Sequence, residues 1–296
     1  MATQRDYLKL HFIVFLWGFS AILGRLVTIP ALEMIVYRGL LAAVGMGLVI
    51  AVTRGTFAIR KIDIVRLVLI GFIVGIHWVA FFGSARISNV SVSLVGFATN
   101  SLWAALLEPW FLKKSIKKYE LLLGLLVLCG IYVIFSFDFQ YKAGLMLGIA
   151  AGFTCALFSI FNAKMVRRIP AFTITFYEMI GVTIGLLLFL PVYKMTWAEG
   201  HQLRMTPAPM DWLYLSILAL VCSVYAYSVA VHLMKKISVF MLQLTLNLEP
   251  VYGIIMAVII FGEREKMGWN FYAGTAVILA AVLLYPLLKK KYEIPT

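Results

Sequence analysis

Charged side chains are scarce in this sequence, and acidic ones are the scarcer kind. Asp, Glu, Lys and Arg together make up 13% of the residues, whereas 63% are hydrophobic. A chain with this composition has too few polar residues to form a water-exposed surface, which excludes an ordinary soluble protein. The net charge is +13, but the basic residues stand in short runs between apolar stretches. They are therefore expected to orient helices in a membrane rather than to bind nucleic acid.

The sequence also lacks the patterns of common enzymes and metal sites. The three cysteines stand singly in apolar segments, and the four histidines have no metal-ligand spacing. HExxH, GxSG and nucleotide-phosphate motifs are absent. The aspartates all lie at segment ends or in loops, which excludes an intramembrane aspartate dyad: Asp6, Asp63, Asp138 and Asp211. An intramembrane enzyme is thus disfavoured, and neither a metal nor a cofactor is expected.

What the sequence does contain is long hydrophobic runs. About 20 apolar residues in a helix cross the roughly 30 Å hydrocarbon core of a bilayer. Ten segments have this character: Leu10–Ile29, Leu32–Val52, Leu67–Ala85, Val90–Leu112, Leu121–Phe137, Gly144–Ala163, Ala171–Val192, Trp212–Met234, Val239–Phe261 and Trp269–Leu288. The sequence therefore predicts an all-α membrane protein with ten transmembrane helices surrounded by lipid.

The distribution of Lys and Arg predicts the orientation of these helices. With the N-terminus inside, most basic residues lie in cytoplasmic loops. The basic residues left outside are Arg86, Lys142, Lys194, Arg204, Arg264 and Lys266. By the positive-inside rule we expect a multi-pass protein of the cytoplasmic (inner) cell membrane with both termini in the cytoplasm. The one long outer loop, from Tyr193 to Asp211, is either a partial lid or a plain connection.

The two halves of the chain resemble each other. A shift of 140 residues superposes Pro30 and Tyr37 on Pro170 and Tyr177, and a shift of 150 superposes Phe111 on Phe261. The shift changes where the long outer loop is inserted. We predict two five-helix repeats, residues 1–140 and 141–296. Because five is odd, the repeats enter the membrane in opposite senses, an architecture of transporters whose solute sites lie near the midplane.

Several short motifs add a family resemblance. They are Trp17-Gly18, Arg38, Leu248-Glu249-Pro250, Phe261-Gly262-Glu263 and Gly274. Together they resemble the EamA-type drug/metabolite transporter family over essentially the whole chain. The resemblance implies a ten-helix fold with two inverted repeats and the export of small metabolites such as amino acids. One departure is Leu112-Lys113, which stands where the second repeat has Gly262-Glu263; positive-inside pressure explains it.

The segment Val239–Phe261 carries the most polar residues at membrane depth. Placing a carboxylate at mid-membrane costs about 2.5–3.5 kcal/mol of insertion free energy, so Glu249 is expected to have a specific role. In a continuous helix Gln243 and Asn247 share one face, which favours them as solute ligands, and Glu249 lies on the adjoining face as a coupling or packing residue. Pro250 is expected to kink this copy only, because Asn100 takes its place in the first repeat. Structural hydrogen bonding between helices is the alternative role.

Arg38 and Glu178 are repeat counterparts at similar depth. Arg38 either binds a solute carboxylate or snorkels outward to pair with Glu33. Near the pseudo-twofold axis, Arg38 and Glu178 could pair in one conformation and separate in another, as a gate. Glu178 or Glu249 is also a candidate for meeting an ammonium group or carrying a coupling proton.

Deep aromatic residues complete the candidate site. Trp17, Trp78 and Trp103 stand well inside their segments and favour an apolar or aromatic pocket, with core packing as the alternative. The predicted solute-binding set also includes His77, a candidate proton relay, and its repeat counterpart Tyr227. Tyr177 and Asn100 belong to the same set.

The sequence therefore predicts a secondary transporter that exports a small metabolite, an amino acid or related zwitterion, by alternating access. Helices one to four and six to nine would form the pathway, and helices five and ten would brace it. A channel or a lipid scramblase of the same fold is the alternative. Oligomeric state leaves no signature in the sequence.

Overall fold

The structure is a computed structural model of the 296-residue chain, and it describes residues 2–135, 141–262 and 268–293. Three loop residues discussed above and one motif residue lie outside the described residues: Asp138, Arg264, Lys266 and Glu263. Within the described ranges every regular element is helical. This follows from the composition, because a helix satisfies all of its backbone hydrogen bonds internally in an apolar environment.

The described helical elements are numbered in chain order. They are α1 Gln4–Leu26, α2 Ala31–Val52, α3 Lys61–Ile87, α4 Val90–Leu112, α5 Lys118–Phe135, α6 Lys142–Met165, α7 Ala171–Thr196, α8 Pro209–Leu233, α9 Val239–Phe261 and α10 Trp269–Glu293. In the described chain, all of these except α5 are long and apolar enough to span a membrane by the usual hydropathy threshold. Helix α5 is an apolar helix of 18 residues. The predicted ten-helix membrane fold is confirmed.

Helices α4 and α9 are both broken near their middle. In α9 the break lies at Asn247–Leu248, where backbone N–H groups bond three residues back, and Pro250 opens the following turn. In α4 the break lies at Ala98–Thr99, where a similar tightened turn forms without proline. The Thr99 hydroxyl stabilises this turn by donating to the Gly96 carbonyl at 2.9 Å. The expectation of a kink in the second copy alone was therefore wrong.

The helices pack in pairs that repeat after a shift of five. Helix α3 packs on α7 as α8 packs on α2, and α4 packs on α6 as α9 packs on α1. The pairs α2–α7, α4–α9 and α5–α10 join equivalent helices. This pattern is what a pseudo-twofold axis between two inverted repeats requires. Helices α5 and α10 pack mainly on each other, with α5 also contacting α4, so they flank the bundle as braces.

The long loop between α7 and α8 lies over the start of α2. The Tyr37 hydroxyl donates to the Met205 carbonyl at 2.5 Å, and the Arg204 N–H donates to Glu33 at 3.3 Å. The Asp211 carboxylate accepts hydrogen bonds from the N–H and the hydroxyl of Thr28. The loop therefore ties the end of α1 and the start of α2 to the second repeat.

Helices α3 and α7 approach closely because glycines face each other. A Cβ on Gly71 would stand 2.8 Å from the Cα of Gly181 and closer still to the Glu178 carbonyl oxygen. Small residues at such crossings let helix backbones meet, and van der Waals packing stabilises the pair in lipid. This contact joins the two repeats beside the buried Glu178 side chain.

We expect Gly71→Ala to destabilise the protein by about 1–3 kcal/mol, because the new methyl group forces the α3 and α7 backbones apart. Gly83→Ala is the matched control on the same helix, since its Cβ would meet only a Leu147 methyl carbon at 3.6 Å. Thermal unfolding in one detergent measures both. Equal melting temperatures for the two variants would contradict the close α3–α7 contact.

Candidate functional site

A buried cavity of about 60 Å³ lies among α1, α2, α3, α4, α6, α8 and α9. The predicted site residues that line it are Trp17, Arg38, His77, Trp78, Tyr227 and Glu249. Among the described lining residues, the guanidinium group belongs to Arg38 and the carboxyl group to Glu249. Most of the other lining side chains are aromatic or aliphatic. The cavity thus combines one positive group, one acidic group and an apolar wall.

Arg38 is 3% exposed and is held in place from two sides. Its Nε donates to the Ser223 hydroxyl at 2.9 Å, and its guanidinium carbon lies 3.9 Å from the centre of the Trp78 ring. Stacking on an aromatic face stabilises a cation without neutralising it. Among the described residues no carboxylate lies within 4 Å of Arg38, so its terminal amino groups are available to an anion in the cavity.

Two expected partners of Arg38 lie elsewhere. Glu33 stands at the start of α2, where it accepts from the Arg204 N–H, so the alternative in which Arg38 snorkels to pair with Glu33 was wrong. Glu178 does not pair with Arg38 in this conformation either. Its Oε2 accepts from the Tyr227 hydroxyl at 2.8 Å and from the Asn162 amide at 3.3 Å.

Glu178 is connected to the cavity through Tyr227. The carboxyl group is fully buried, and within the described chain its Oε1 has no hydrogen-bond partner. The Tyr227 ring lines the cavity while its hydroxyl contacts Glu178. A change in the charge of Glu178 would therefore act on a side chain that lines the cavity.

Helix α8 presents its site residues from an unusual segment. Residues Ile217–Tyr227 form a π-helix, and the Ser223 side-chain hydroxyl donates to the Leu218 carbonyl at 3.0 Å. The Trp17 indole N–H donates to the Cys222 carbonyl at 2.9 Å. Wide helical turns of this kind occur often at functional sites. Here the segment positions Ser223 under Arg38 and Tyr227 beside Glu178.

The apolar wall of the cavity is built around His77. The His77 Nδ1 donates to the Ala151 carbonyl at 2.9 Å, because a carbonyl only accepts. The ring packs against Phe81, Phe97 and Phe158 with centroids 5.5 to 6.0 Å apart. Such offset and edge contacts between rings form a rigid aromatic surface.

On α9 the cavity is lined by Glu249 together with Leu242 and Leu246, whereas Gln243 and Asn247 are not among the lining residues. Glu249 is 4% exposed and is the first residue of the second half of α9, where the helix dipole favours an acidic side chain. The face that carries Gln243 and Asn247 was predicted to meet the solute. Leu242, Leu246 and Glu249 are spaced by four and three residues, as on one face of a continuous helix. The predicted separation of the two faces therefore holds, and in this conformation the Glu249 face meets the cavity.

Gln243 and Asn247 join helices instead. The Gln243 amide donates to the Ser159 hydroxyl at 2.7 Å, and Asn247 donates to Ser101 of α4 at 3.0 Å. Gln243 lies directly behind the wall, since Ser159 itself lines the cavity. Pro250 is buried beside Glu249 in the first turn of the second half of α9, directly after the break.

Three other predicted residues also lie outside the cavity lining. Asn100 is fully buried at the α4 break, and Trp103 packs edge-on against Phe153 at 5.2 Å. The Tyr177 hydroxyl donates to the Phe57 carbonyl at 2.9 Å, at the end of α7 remote from the long loop between α7 and α8. These residues are not brought together with Arg38 in this conformation.

The sequence reading missed the contribution of α6 to the cavity. Cys155, Phe158 and Ser159 line it, and Asn162 contacts Glu178. The signal was present, because Gly148, Gly152, Cys155, Ser159 and Asn162 follow one another at spacings of three and four. A stripe of small and polar residues at helical spacing predicts a buried interhelical face.

Comparison of the sequence with known protein families identifies the family of this chain. The sequence model of the EamA-like transporter family matches residues 7–136 and again residues 142–286. The chain belongs to the EamA-like transporter family. The family resemblance inferred from the short motifs is confirmed, and the protein is a multi-pass membrane transporter of this family.

Two individual proteins are similar over nearly the whole chain. An uncharacterized transporter, YetK of Bacillus subtilis (strain 168), is 23% identical, and the alignment covers 96% of this chain and 88% of the relative. A solved structure titled "Crystal structure of protein" shares 15% identity with a TM-score of 0.72, covering 99% of this chain and 100% of that chain. The structural likeness extends the shared fold to all ten helices of this EamA-like protein.

Proposed function

We propose that this EamA-like protein is a secondary transporter that exports a small zwitterionic metabolite, an amino acid with an apolar or aromatic side chain. The observation that carries the proposal is the guanidinium of Arg38, which lies in a buried aromatic cavity and has no carboxylate partner among the described residues. A guanidinium binds a carboxylate through two parallel hydrogen bonds. Glu249 supplies the opposite charge for an ammonium group, and the phenylalanines around His77 pack on the side chain.

The size of the cavity favours a compact solute. One water-sized molecule needs about 10–15 Å³ by this measure, so about 60 Å³ holds roughly four to six non-hydrogen atoms or groups. A small amino acid approaches this size, whereas a phospholipid is far larger. The lipid scramblase therefore ranks below the metabolite carrier, and a larger amino acid requires the walls to separate.

Alternating access requires contacts between the repeats that break at one end at a time. At one end of the bundle Asp63 of α3 holds Arg168, which precedes α7, through two 2.7 Å contacts. At the opposite end Asp211 of α8 holds Thr28, which follows α1. Both contacts join the first repeat to the second. We propose that the Asp63–Arg168 end is cytoplasmic, as the positive-inside rule predicts.

We propose a proton as the coupling ion, with Glu178 and Glu249 as the candidate carriers. Both carboxyl groups are buried, and in the described chain neither has a cationic partner within 4 Å. Burying an unpaired carboxylate is costly, so each group gains from a proton or from the solute's ammonium. Tyr227 couples Glu178 to the cavity, and Glu249 faces it directly.

Uptake into proteoliposomes tests the proposed function. We expect saturable uptake and counterflow for apolar and aromatic amino acids, and faster accumulation when a pH gradient is imposed. A panel of charged amino acids, sugars and des-amino acids sets the specificity. Absence of saturable transport for every amino acid would refute the amino-acid assignment, and flux that rises linearly with concentration would favour a channel.

A further inference from the structure

A second concave surface, outside the central cavity, lies between α3 and α6 at the Asp63 end of the bundle. It is a groove of about 560 Å³. Cationic side chains line one part and apolar side chains line the rest: Arg66, Lys164 and Arg168, with Leu69, Ile73 and Phe161. The groove faces outward from the bundle, since Leu69 is 54% exposed.

The spacing of these residues makes the groove amphipathic along its length. Arg66, Leu69 and Ile73 recur after three and four residues and share one face of α3. Phe161 and Lys164 near the end of α6 and Arg168 in the turn that follows have the same spacing. Arg66 lies near the start of α3 whereas Lys164 lies near the end of α6, so the cations gather at the same end. The apolar side chains extend from there toward the middle of the membrane.

Positive charge at the head of this groove exceeds the available negative charge. Asp63 contacts Arg60, Arg66 and Arg168, so one carboxylate serves three guanidinium groups. In the described part of the chain Lys164 has no carboxylate within 4 Å. Arg66 is 53% exposed and its contact with Asp63 is long at 3.3 Å. Arg66 and Lys164 are therefore available to an anion at the membrane boundary.

We propose that this groove binds one acidic phospholipid. The phosphate group lies against Arg66 and Lys164, and an acyl chain follows Leu69, Ile73 and Phe161. Basic pockets between helices at a membrane boundary recognise acidic headgroups in this way. Because α3 belongs to the first repeat and α6 to the second, the bound lipid contacts both halves beside the Asp63–Arg168 contact. The proposal does not depend on the identity of the transported solute.

Native mass spectrometry of the full chain in detergent tests the site with phosphatidylglycerol, phosphatidylcholine and inorganic phosphate as probes. We expect the wild-type protein to retain one phosphatidylglycerol in preference to phosphatidylcholine. In Arg66→Gln/Lys164→Gln we expect this retention to fall about 30-fold, because each of the two basic residues near the surface contributes about 1 kcal/mol. Arg168 is kept because it also holds Asp63.

Two further variants separate the site from general charge and from misfolding. Lys61→Gln/Lys290→Gln removes the same charge from exposed positions and should retain the lipid as the wild type does. Arg66→Lys/Lys164→Arg keeps the charge and should also retain it. Equal retention in Arg66→Gln/Lys164→Gln and wild type overturns the proposal, as does equal loss in the exposed control. Displacement of the lipid by inorganic phosphate alone would indicate a free-anion site and also overturn it.

Discussion

Arg38→Gln is expected to lower amino-acid uptake into proteoliposomes by at least about 30-fold. The guanidinium is held by Ser223 and Trp78, and in the described chain it has no carboxylate partner of its own. The proposed charge pair is Arg38 with the carboxylate of the bound solute. Removing one member of a buried, hydrogen-bonded charge pair costs about 2–5 kcal/mol, and each 1.4 kcal/mol is a factor of ten in affinity. Initial rates over a range of solute concentrations measure the loss.

Two arginine variants show what kind of interaction is lost. Arg38→Lys keeps the charge but loses the planar fork and the stacking on Trp78, so we expect an intermediate rate. Arg25→Gln removes an exposed arginine of α1 and should transport as the wild type does. Size-exclusion profiles and melting temperatures establish that each variant is folded. A folded Arg38→Gln protein with a wild-type rate would remove the central argument for carboxylate binding.

The fold of this protein was largely readable from its sequence, because a bilayer imposes a strict length and polarity on each helix. A run such as Val90–Leu112 has no alternative to a spanning helix once water is excluded. The alignment of the two repeats also gave information about the site, because it predicted that Tyr227 and His77 occupy equivalent positions. Both now line the cavity.

The sequence predicted which candidate residues lie deep in the membrane. It did not predict which face of a helix meets the cavity. Trp17, Arg38 and Trp78 were singled out as polar or bulky side chains at membrane depth, and they meet in the cavity.

On α9 the sequence separated the face of Gln243 and Asn247 from the face of Glu249, but it gave no reason to prefer the Glu249 face, which meets the cavity in this conformation. The corresponding break in α4 could not be predicted from a proline, because the sequence has none there. It forms through tertiary packing and the hydrogen bond of the Thr99 hydroxyl.

The π-helical segment of α8 was the least predictable part of the site. Nothing in Ile217–Tyr227 distinguishes it from an ordinary apolar helix. Its wide turns are stabilised by contacts that only the folded bundle provides, among them the Trp17 indole on the Cys222 carbonyl. The same segment orients Arg38 through Ser223, so the position of the cation depends on α8 as well as on α2.

Glu249→Gln is expected to change which solutes are carried rather than to stop transport outright. If Glu249 meets the ammonium group, its loss should lower uptake of a zwitterionic amino acid by about 10-fold or more. Uptake of the matching des-amino acid, which keeps the carboxylate and the side chain, should change little because Arg38 still binds it. Arg38→Gln should lower both, so the two variants separate the two ends of the solute.

The same variant also tests the coupling role of Glu249. The neutral amide is nearly isosteric with the carboxyl group, so the break in α9 should persist and a changed rate reflects charge. Glu199→Gln, at an exposed carboxylate of the long loop between α7 and α8, is the matched control. If Glu249→Gln keeps the full zwitterion rate and the full response to a pH gradient, Glu249 is neither the ammonium partner nor the proton carrier. Coupling would then rest on Glu178, whose contact with Tyr227 already connects a buried carboxyl group to the cavity.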